Sequence, residues 1–409
     1  MKILLSVTGS IASYKSFDVA RQLVKNGHEL KVILTKGALE FIRPETFRYL
    51  GVEATYLPTD DFRPGHLNNK ATVLHIDLVK WADKLVIAPA SANTLARLSM
   101  GITNDLLTSV FLAMGKKPIL LFPAMNTEMW ANPRTQEHRS HLEKMSHIGI
   151  INPVSGLLAC GDIGAGKFPE VNSVVDLIES FNPTLVKNKK VIITAGATAS
   201  PLDPVRYITN PSSGKMGMSV AKAFLASGYE VTVLAGHQCI EEINNLQGHP
   251  HFTLLKTPTT ALMKEAAVRT FPSSDLYIST GAIADIEFDP ASIKMKKEAM
   301  GSSLPFRQAA DILKEILSLK KTQKVVSFAA ETETTRDVFM EKMNRKPVDL
   351  MIGNKVANGL IGDTEVKGFQ KAGGEYYFVE KDSITGPVSL SKFELGQKLV
   401  SWFEGKKTW

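Results

Sequence analysis

The fold is decided by residues 2–35, KILLSVTGSIASYKSFDVARQLVKNGHELKVILT. An apolar run from Ile3 to Val7 meets Gly9, and an amphipathic segment follows. Gly27 stands where a helix C-cap belongs, just before a second apolar run from Leu30 to Leu34. The pattern predicts a strand–helix–strand unit, and a crossover helix of this kind joins parallel strands.

The same layout returns after Lys190. Its parts are a strand at Val191–Thr194, Gly196, a helix over about Lys215–Ala226, Gly228 and a strand at Glu230–Leu234. Other buried strands alternate with helical segments in both halves, and a glycine-rich hairpin is expected around Gly373. The sequence therefore predicts an α/β protein with two Rossmann-like, three-layer domains whose sheets are mostly parallel.

A chain of 409 residues exceeds the usual size of one hydrophobic core. Between the two halves, the stretch SFNPTLVKNK at residues 180–189 has no hydrophobic periodicity. We place the domain boundary there: a first domain over residues 1–180, a linker over 181–189 and a second domain over 190–409.

Composition narrows the function classes. No run of 18 apolar residues is present, so a membrane span is not expected, and the first residues are interpreted as a strand and not a signal peptide. Two cysteines favour a reducing, cytoplasmic location. The net charge of +7 comes from dispersed basic residues, which suits small phosphorylated ligands better than nucleic acid.

Three loops in the first half follow predicted strands. They are VTGSIA at 7–12, APASANT at 88–94 and PAMNTEMW at 123–130. Their hydroxyls, amides and helix N-termini suit a phosphate or a polar ring, and a tight turn or simple helix capping explains them equally well. The Asn126 amide could orient a carboxylate, whereas Met129 and Trp130 fit a core. The absence of G-x-G-x-x-G disfavours an NAD site.

Two further side chains are candidates for proton transfer. Cys160 lies between glycines in GLLACGD, and His75 lies in LHID just before a predicted helix. A thiol on a glycine-flanked loop suits acid–base chemistry, although a small buried cysteine is the commoner case. A lone histidine is likewise more often structural.

Taken in order, GSIA, HIDL, APASANTLA, PAMNxxMW and GxLACG resemble the flavin-dependent cysteine decarboxylase family. The resemblance implies a flavodoxin-like Rossmann fold with FMN as cofactor. It implies His75 as catalytic base, Asn126 as ligand of the substrate carboxylate and Cys160 as a late proton donor. The residues that it implies for FMN binding are Gly9, Ser10, Thr35, Ser91, Ala92 and Asn93. A departure is Lys167-Phe168, where the family more often has Arg and Met.

In the second half, SSGKMG at residues 212–217 opens a helix. A Ser/Gly/Lys run at a helix N-terminus can hold an anion, and a long structural loop with a cap is the alternative. The P-loop spacing is absent, so a Walker-type ATPase is not supported. The cluster KMKK at residues 294–297 could clamp a triphosphate or form a solvated charged surface.

With DPVRYITN at residues 203–210, these elements resemble the phosphopantothenate–cysteine ligase family. The resemblance implies CTP and Mg²⁺, with the metal ligands unknown, and assigns Asn210 and Arg206 to an acyl intermediate. The residues that it implies for CTP binding are Asp285, Lys294, Phe328, Lys342 and Lys346. The family motifs are altered at residues 281–285, 309–312 and 353–356. Cys239 matches no motif and is interpreted as structural.

The two domains together resemble the bacterial bifunctional phosphopantothenoylcysteine decarboxylase/phosphopantothenate–cysteine ligases of coenzyme A biosynthesis. The substrates implied are 4′-phosphopantothenate, L-cysteine and CTP. A homo-oligomer is expected by the same resemblance, with trimeric flavin domains, dimeric ligase domains and a dodecamer that satisfies both. The alternative is a regulatory flavoprotein with an inactive or altered ligase domain, which the presence of His75 and Cys160 disfavours.

Overall fold

The structure is a computed structural model that describes residues 1–62, 73–159, 161–183, 188–296, 303–355, 373–406 and 409. The chain divides into two compact units, Met1–Thr184 with Gly248–Pro250 and Leu185–Gln247 with His251–Trp409. We call them unit 1 and unit 2. Each contains a mostly parallel sheet with flanking helices, which confirms the predicted α/β class. The exact boundary at residues 181–189 stays a prediction, and residues 184–187 lie outside the described part of the chain.

The main sheet of unit 1 has six strands. They are β1 (Lys2–Val7), β2 (Glu29–Leu34), β3 (Ala54–Tyr56), β4 (Lys84–Ala90), β5 (Ile119–Pro123) and β6 (Ile148–Ile150). Their order is β3-β2-β1-β4-β5-β6, and all the pairings are parallel. This is the doubly wound Rossmann order, in which the chain reverses direction across the sheet between β1 and β4.

Eight α-helices flank this sheet in the described part of unit 1. They are α1 (Lys15–Lys25), α2 (Glu45–Tyr49), α3 (Leu74–Trp81), α4 (Ala92–Met100), α5 (Leu106–Ala113), α6 (Thr127–Ala131), α7 (Pro133–Glu143) and α8 (Val171–Ser180). A hairpin, β7 (Val154–Leu157) and β8 (Ile163–Lys167), precedes α8. Side chains of β1 alternate between two cores, with Ile3, Leu5 and Val7 in one and Leu4 in the other. Unit 1 therefore has the predicted three layers.

The first crossover differs from its prediction in one detail. Ser10 caps a 3-10 turn at Ile11–Tyr14, and only then does α1 begin, with Val19, Ala20 and Leu23 buried. Gly27 follows the helix with φ of +85°, in the left-handed region that glycine adopts at little cost. The predicted C-cap role of Gly27 is confirmed.

At the amino-terminal end of β4, a buried lysine holds the end of α8. Lys84 Nζ donates to the carbonyl oxygens of Ile178 at 2.5 Å and Phe181 at 2.7 Å. These are carbonyls that a helix leaves without an internal partner at its C-terminus. Burial lowers the pKa of Lys84 to about 7, with the charges of Glu179 and Asp83 acting in the opposite direction.

The main sheet of unit 2 has eight strands among the residues that the structure describes. They are β9 (Lys190–Ala195), β12 (Glu230–Ala235), β13 (Phe252–Lys256), β14 (Leu276–Ser279), β17 (Lys324–Glu331), β18 (Leu350–Lys355), β19 (Gly373–Val379) and β20 (Ile384–Ser391). Their order is β13-β12-β9-β14-β17-β18-β19-β20. The first six are parallel, and β19 and β20 add an antiparallel edge.

The helices of unit 2 are α9 (Lys215–Ala226), α10 (Thr260–Thr270), α11 (Ile312–Leu319), α12 (Arg336–Arg345) and α13 (Lys392–Phe403). Two small antiparallel pairs are β10 (Ala199–Pro201) with β11 (Tyr207–Thr209) and β15 (Ile286–Glu287) with β16 (Arg307–Gln308). Among the described residues, no helix is long and apolar enough to cross a membrane.

The predicted hairpin near Gly373 is present, but its turn lies elsewhere. The chain reverses at residues 380–383, where Glu380 and Ser383 exchange backbone hydrogen bonds. Gly373 instead begins β19, and a Cβ there would lie 2.7 Å from the Leu390 carbonyl oxygen of β20. The glycine therefore permits close strand pairing and does not form the turn.

Candidate active sites

In unit 1, the loops that follow β1, β4 and β5 meet at one edge of the sheet. Thr8 Oγ1 donates to the Pro89 carbonyl at 2.8 Å and accepts from the Ser91 N–H at 2.9 Å. Ser10 Oγ donates to the Ala124 carbonyl at 3.1 Å. Two hydroxyls thus join three strand-end loops, because parallel strands place their carboxyl ends side by side. From sequence, the Thr8 hydroxyl is only one of several groups in a loop suited to a phosphate, and its role in joining loops is not predicted.

These loops line a cavity of about 1230 Å³. Gly9 and Gly37 approach so closely at its wall that a Cβ on Gly9 would lie 3.0 Å from the Gly37 Cα. Met129 is exposed and contributes to the lining, so its interpretation as a core residue is wrong, whereas Trp130 is buried in the core as expected. The cavity brings together all six residues predicted to bind FMN, with Asn126: Gly9, Ser10, Thr35, Ser91, Ala92 and Asn93.

Cationic side chains also line this cavity. Lys15, Lys36 and Lys167 contribute to its wall, as does Arg97. Lys167, where the resembled family more often has Arg, keeps a positive charge at that position and lies 3.3 Å from a Glu170 oxygen. The cavity therefore combines hydrogen-bonding loops with positive charge, a combination that suits phosphorylated ligands.

Asn126 caps α6 and already contacts a carboxylate. Its Oδ1 accepts from the Glu128 N–H at 2.8 Å, which fixes the orientation of the amide. Its Nδ2 donates to Asp162 Oδ2 at 3.3 Å. The amide that was predicted to bind a substrate carboxylate thus directs its N–H groups toward the carboxylate of Asp162.

His75 lies in the first turn of α3, one residue later than the helix start at Leu74. It is not among the described residues that line the cavity. Its Nδ1 lies 2.7 Å from Asp61 Oδ2 and 2.9 Å from Asp61 Oδ1. Sequence reasoning missed Asp61, which no motif marks. Cys160 falls outside the described residues, so its predicted role stays a prediction.

In unit 2, Arg206 is held by a buried carboxylate. Its guanidinium donates to Asp203 Oδ2 at 2.5 and 3.0 Å and to the Met295 carbonyl at 2.8 Å. The guanidinium, and then the N–H groups of Val205, Met295 and Arg206, hold the pKa of Asp203 well below its usual range. Lys294 is exposed and directly precedes Met295. The Asp203–Arg206 pair therefore anchors the segment that carries this predicted CTP ligand.

A hydrogen bond places Asn210 close in the structure to the segment that carries Asp285. Asn210 Nδ2 donates to the Ile283 carbonyl at 3.2 Å, two residues before the exposed Asp285. The Asp285 carbonyl accepts from the Ala309 N–H at 2.9 Å, two residues before Asp311. The structure thus brings the altered motifs at residues 281–285 and 309–312 together.

Two predicted CTP ligands, Lys342 on α12 and Lys346 at its end, each pair with a carboxylate. Lys346 Nζ lies 2.6 Å from Asp311 Oδ2, and Lys342 Nζ bonds to Glu331 Oε1. Glu331 ends β17, the strand that carries Phe328. Burial alone would raise the pKa of Asp311, but its bonds to the Lys346 ammonium and the Lys314 N–H lower it overall. Each pair joins residues that are more than ten positions apart, so sequence spacing does not reveal it.

Cys239 is a partly buried thiol of unit 2 that packs against the core. Burial raises the pKa of its thiol to about 11. A thiol of that kind is poorly nucleophilic at neutral pH, in agreement with the structural interpretation.

Comparisons with known proteins cover both halves of the chain. The Flavoprotein family model matches residues 1–182, and the model for the DNA/pantothenate metabolism flavoprotein C-terminal domain matches residues 186–405. The coenzyme A biosynthesis bifunctional protein CoaBC of Bacillus subtilis (strain 168) is 36% identical over 365 residues, which cover 87% of this chain and 86% of that protein. The chain belongs to the CoaBC family. The CoaBC protein of Escherichia coli (strain K12) is 35% identical over 371 residues, 88% of this chain and 87% of its own.

Membership of the CoaBC family confirms the predicted bifunctional decarboxylase–ligase of coenzyme A biosynthesis. The Flavoprotein match supports the flavin prediction. One similar solved structure is a PPC decarboxylase mutant complexed with pantothenoylaminoethenethiol. It is 33% identical, with a TM-score of 0.39, over 43% of this chain and 95% of that one.

Proposed function

We propose that the chain ligates cysteine to 4′-phosphopantothenate with CTP and then decarboxylates the product, 4′-phosphopantothenoylcysteine, to 4′-phosphopantetheine with FMN. The observation that carries the proposal is the unit 1 cavity, at which seven residues singled out from sequence meet. The ligase product is the decarboxylase substrate, which gives the fusion a chemical purpose. The cytoplasmic location stays a prediction.

The cavity fits FMN in size and in chemistry. Its volume of about 1230 Å³ is somewhat above the ~300–1,000 Å³ typical of small-molecule pockets, which leaves room for a substrate beside the flavin. Ser10, Thr35, Ser91 and Asn93 offer hydroxyl and amide groups, and Gly9 lets its loop pack against Gly37 at the cavity wall. When bound, FMN supplies a reversible two-electron oxidation that turns the substrate thiol into an electron sink for CO₂ loss.

The chain's own residues then orient the substrate and move protons. The Asn126 amide holds the departing carboxylate, a role that its bond to Asp162 supports. His75 takes the proton released from the substrate, and Cys160 returns one to the product. Lys15, Lys36 and Lys167 attract the phosphates of cofactor and substrate.

We further propose that the enzyme is a homo-oligomer in which His75 acts in the cavity of a neighbouring copy. His75 is not among the described residues that line the cavity of its own chain, so one chain leaves the catalytic set incomplete. The trimeric packing expected for the flavin domain would supply the histidine. Mixing two inactive variants, His75→Asn and Asn126→Ala, tests this idea, because mixed oligomers regain part of the decarboxylase activity only if sites combine residues of two chains. If subunit exchange is demonstrated and no activity returns, the shared-site idea is contradicted.

In unit 2, the carboxylate of 4′-phosphopantothenate attacks the α-phosphate of CTP and releases pyrophosphate. The cysteine amine then attacks the acyl-cytidylate and CMP leaves. Lys294, Lys342 and Lys346 offset the triphosphate charge, and Asp285 and Phe328 contact CTP. Asn210 and Arg206 contact the acyl intermediate, Arg206 within its pairing to Asp203.

Mg²⁺ is proposed to arrive with CTP. No group of three or more His, Cys, Asp or Glu side chains suited to a metal occurs within the described ranges. Mg²⁺ often binds through one or two carboxylates together with substrate phosphates, so a prebuilt protein site is not required.

A one-pot assay with 4′-phosphopantothenate, L-cysteine, CTP and Mg²⁺ tests the whole proposal by following pyrophosphate and CO₂ separately. Release of both is expected. Release of CO₂ only from supplied 4′-phosphopantothenoylcysteine, without pyrophosphate, would reject the ligase half and favour a protein with an inactive or altered unit 2. Release of neither product by FMN-loaded protein would reject both halves.

A further inference from the structure

We propose that Asp61 is a positioning residue that fixes the tautomer and orientation of the His75 imidazole. The inference rests on the proposed role of His75 as base and adds a partner that no motif contains. It is carried by a carboxylate–imidazole pair, in which Asp61 Oδ2 lies 2.7 Å and Oδ1 2.9 Å from His75 Nδ1.

The pair is asymmetric in exposure. The Asp61 side chain is 6% exposed, whereas that of His75 is 26% exposed. The carboxylate is thus shielded from water, and the imidazole keeps an accessible side. A shielded carboxylate interacts with its partner more strongly than a solvated one does.

The contact decides which ring nitrogen carries the proton. A carboxylate accepts hydrogen bonds, so His75 Nδ1 is the protonated nitrogen of the neutral ring. Nε2 then holds the free lone pair and can accept a proton from substrate. When it does, the Asp61 charge stabilises the imidazolium without itself taking a proton, as carboxylates do in histidine-based triads.

Asp61 also makes a purely structural contact. Its Oδ1 accepts from the backbone N–H of His75 at 3.1 Å, in the first turn of α3, where Val73 provides no side-chain cap. This bond satisfies a donor that the helix leaves free. A substitution of Asp61 must therefore distinguish positioning of the imidazole from capping of α3.

Other charges around His75 are few in the described structure. Asp60 adjoins Asp61 in the turn that packs against α3, and its Oδ2 accepts from the Leu57 N–H. Asp77 lies two residues beyond His75 on α3. The neighbouring α5, LLTSVFLA, has no titratable side chain. Asp77→Asn is therefore a matched control that removes one carboxylate from the same helix.

The test compares Asp61→Asn with Asp77→Asn in full-length, FMN-loaded enzyme, with kcat expressed per bound flavin. Asn keeps an oxygen that can cap α3 but lacks the charge that selects the tautomer. We expect kcat for CO₂ release to fall about 100-fold or more in Asp61→Asn, in the direction seen when a triad carboxylate is replaced by an amide. The KM, flavin content and melting temperature should stay near those of the parent, and Asp77→Asn should retain its kcat.

A parental kcat in Asp61→Asn would overturn the proposal and leave Asp61 as a helix cap. If that variant fails to fold, Asp61→Glu decides: a folded protein with a kcat reduced at least tenfold supports positioning, and an unchanged kcat rejects it. His75→Asn separates this inference from the proposed function. Full activity in His75→Asn would reject the proposed role of His75 as base. An inactive His75→Asn together with a fully active Asp61→Asn would reject only the positioning role of Asp61.

Discussion

The two sites differ in what holds their side chains in place within the chain. In unit 1, Thr8 and Ser10 bond to the backbone of neighbouring loops, and glycines let those loops approach. In unit 2, three of the predicted cations pair with carboxylates: Arg206 with Asp203, Lys342 with Glu331 and Lys346 with Asp311. The polar loops of unit 1 are thus arranged by backbone geometry, although Lys167 of the same cavity also pairs with Glu170. In unit 2, a phosphate must replace a carboxylate on Lys342 and on Lys346.

The free energy of exchanging a carboxylate for a phosphate on a lysine lies within known limits. Lys342 is 36% exposed, and an ion pair at such a position contributes only about 0–1 kcal/mol. A hydrogen bond to a charged group is worth about 1.5–3 kcal/mol. The lysines of unit 2 should therefore still favour phosphate, with an affinity reduced several-fold by the internal carboxylates. The following variants test this difference between the units.

The largest effect is expected for Gly9→Ala in unit 1. The added Cβ would lie 3.0 Å from the Gly37 Cα, and backbone on both sides leaves no flexible group to yield. We expect at least a tenfold loss of FMN affinity and loss of decarboxylation, with pyrophosphate release by unit 2 unchanged. Flavin absorbance after gel filtration measures the first effect.

Gly27→Ala is the matched control for this variant. It places a Cβ at φ of +85° but in open space, so it should lower stability by about 1 kcal/mol and leave flavin content intact. Normal FMN binding in Gly9→Ala would show that the strand-end loops of unit 1 adjust as readily as side chains do.

The next largest effect is expected for Lys342→Met in unit 2. Losing a charge-assisted bond to phosphate should raise the KM for CTP about 10- to 100-fold. Lys264→Met removes another lysine–glutamate pair of unit 2, with Glu315 at 3.4 Å, and should not change that KM. Equal KM values for CTP in the two variants would show that Lys342 does not bind the nucleotide.

Much of the fold could be predicted because each element carries its own signal. Periodicity and Gly27 define β1, α1 and β2 to within a few residues, since one apolar face must be buried and the helix must end. Strand order is different in kind. Nothing in the sequence of β4 states that it pairs with β1, because backbone hydrogen bonds do not depend on residue identity.

The sites divide in the same way. The residues predicted to bind FMN follow strand ends, so a correct α/β prediction brings them to one edge of the sheet. The carboxylates Asp61, Glu331 and Asp311 could not be assigned, because their partners come from other elements and any of the chain's 41 acidic residues could serve. Asp203 is an exception, since its spacing of three residues from Arg206 is short enough to suggest the pair.

A smaller effect of opposite sign is expected for Glu331→Gln. Removing the charge that competes with phosphate for Lys342 should lower the KM for CTP about two- to fivefold, corresponding to the weak pair that is lost. Glu315→Gln provides the control, as its lysine partner lies outside the predicted site. A rise in KM for Glu331→Gln would mean that the carboxylate positions Lys342 and does not compete with the nucleotide.

The smallest effect is expected in unit 1, where Asp162 accepts a bond from the Asn126 amide at 3.3 Å. Asp162→Ala removes the internal carboxylate and should lower the KM for 4′-phosphopantothenoylcysteine about twofold, since one long hydrogen bond to a solvated group costs little to exchange. Asp162→Asn, which keeps an acceptor oxygen, should fall between Ala and the parent. If Asp162→Ala instead lowered the KM as much as Glu331→Gln lowers that for CTP, displacing an internal carboxylate would cost substantial binding energy in unit 1 as well. The units would then differ only in the charge of the group that the carboxylate leaves, which is a neutral amide in unit 1 and an ammonium in unit 2.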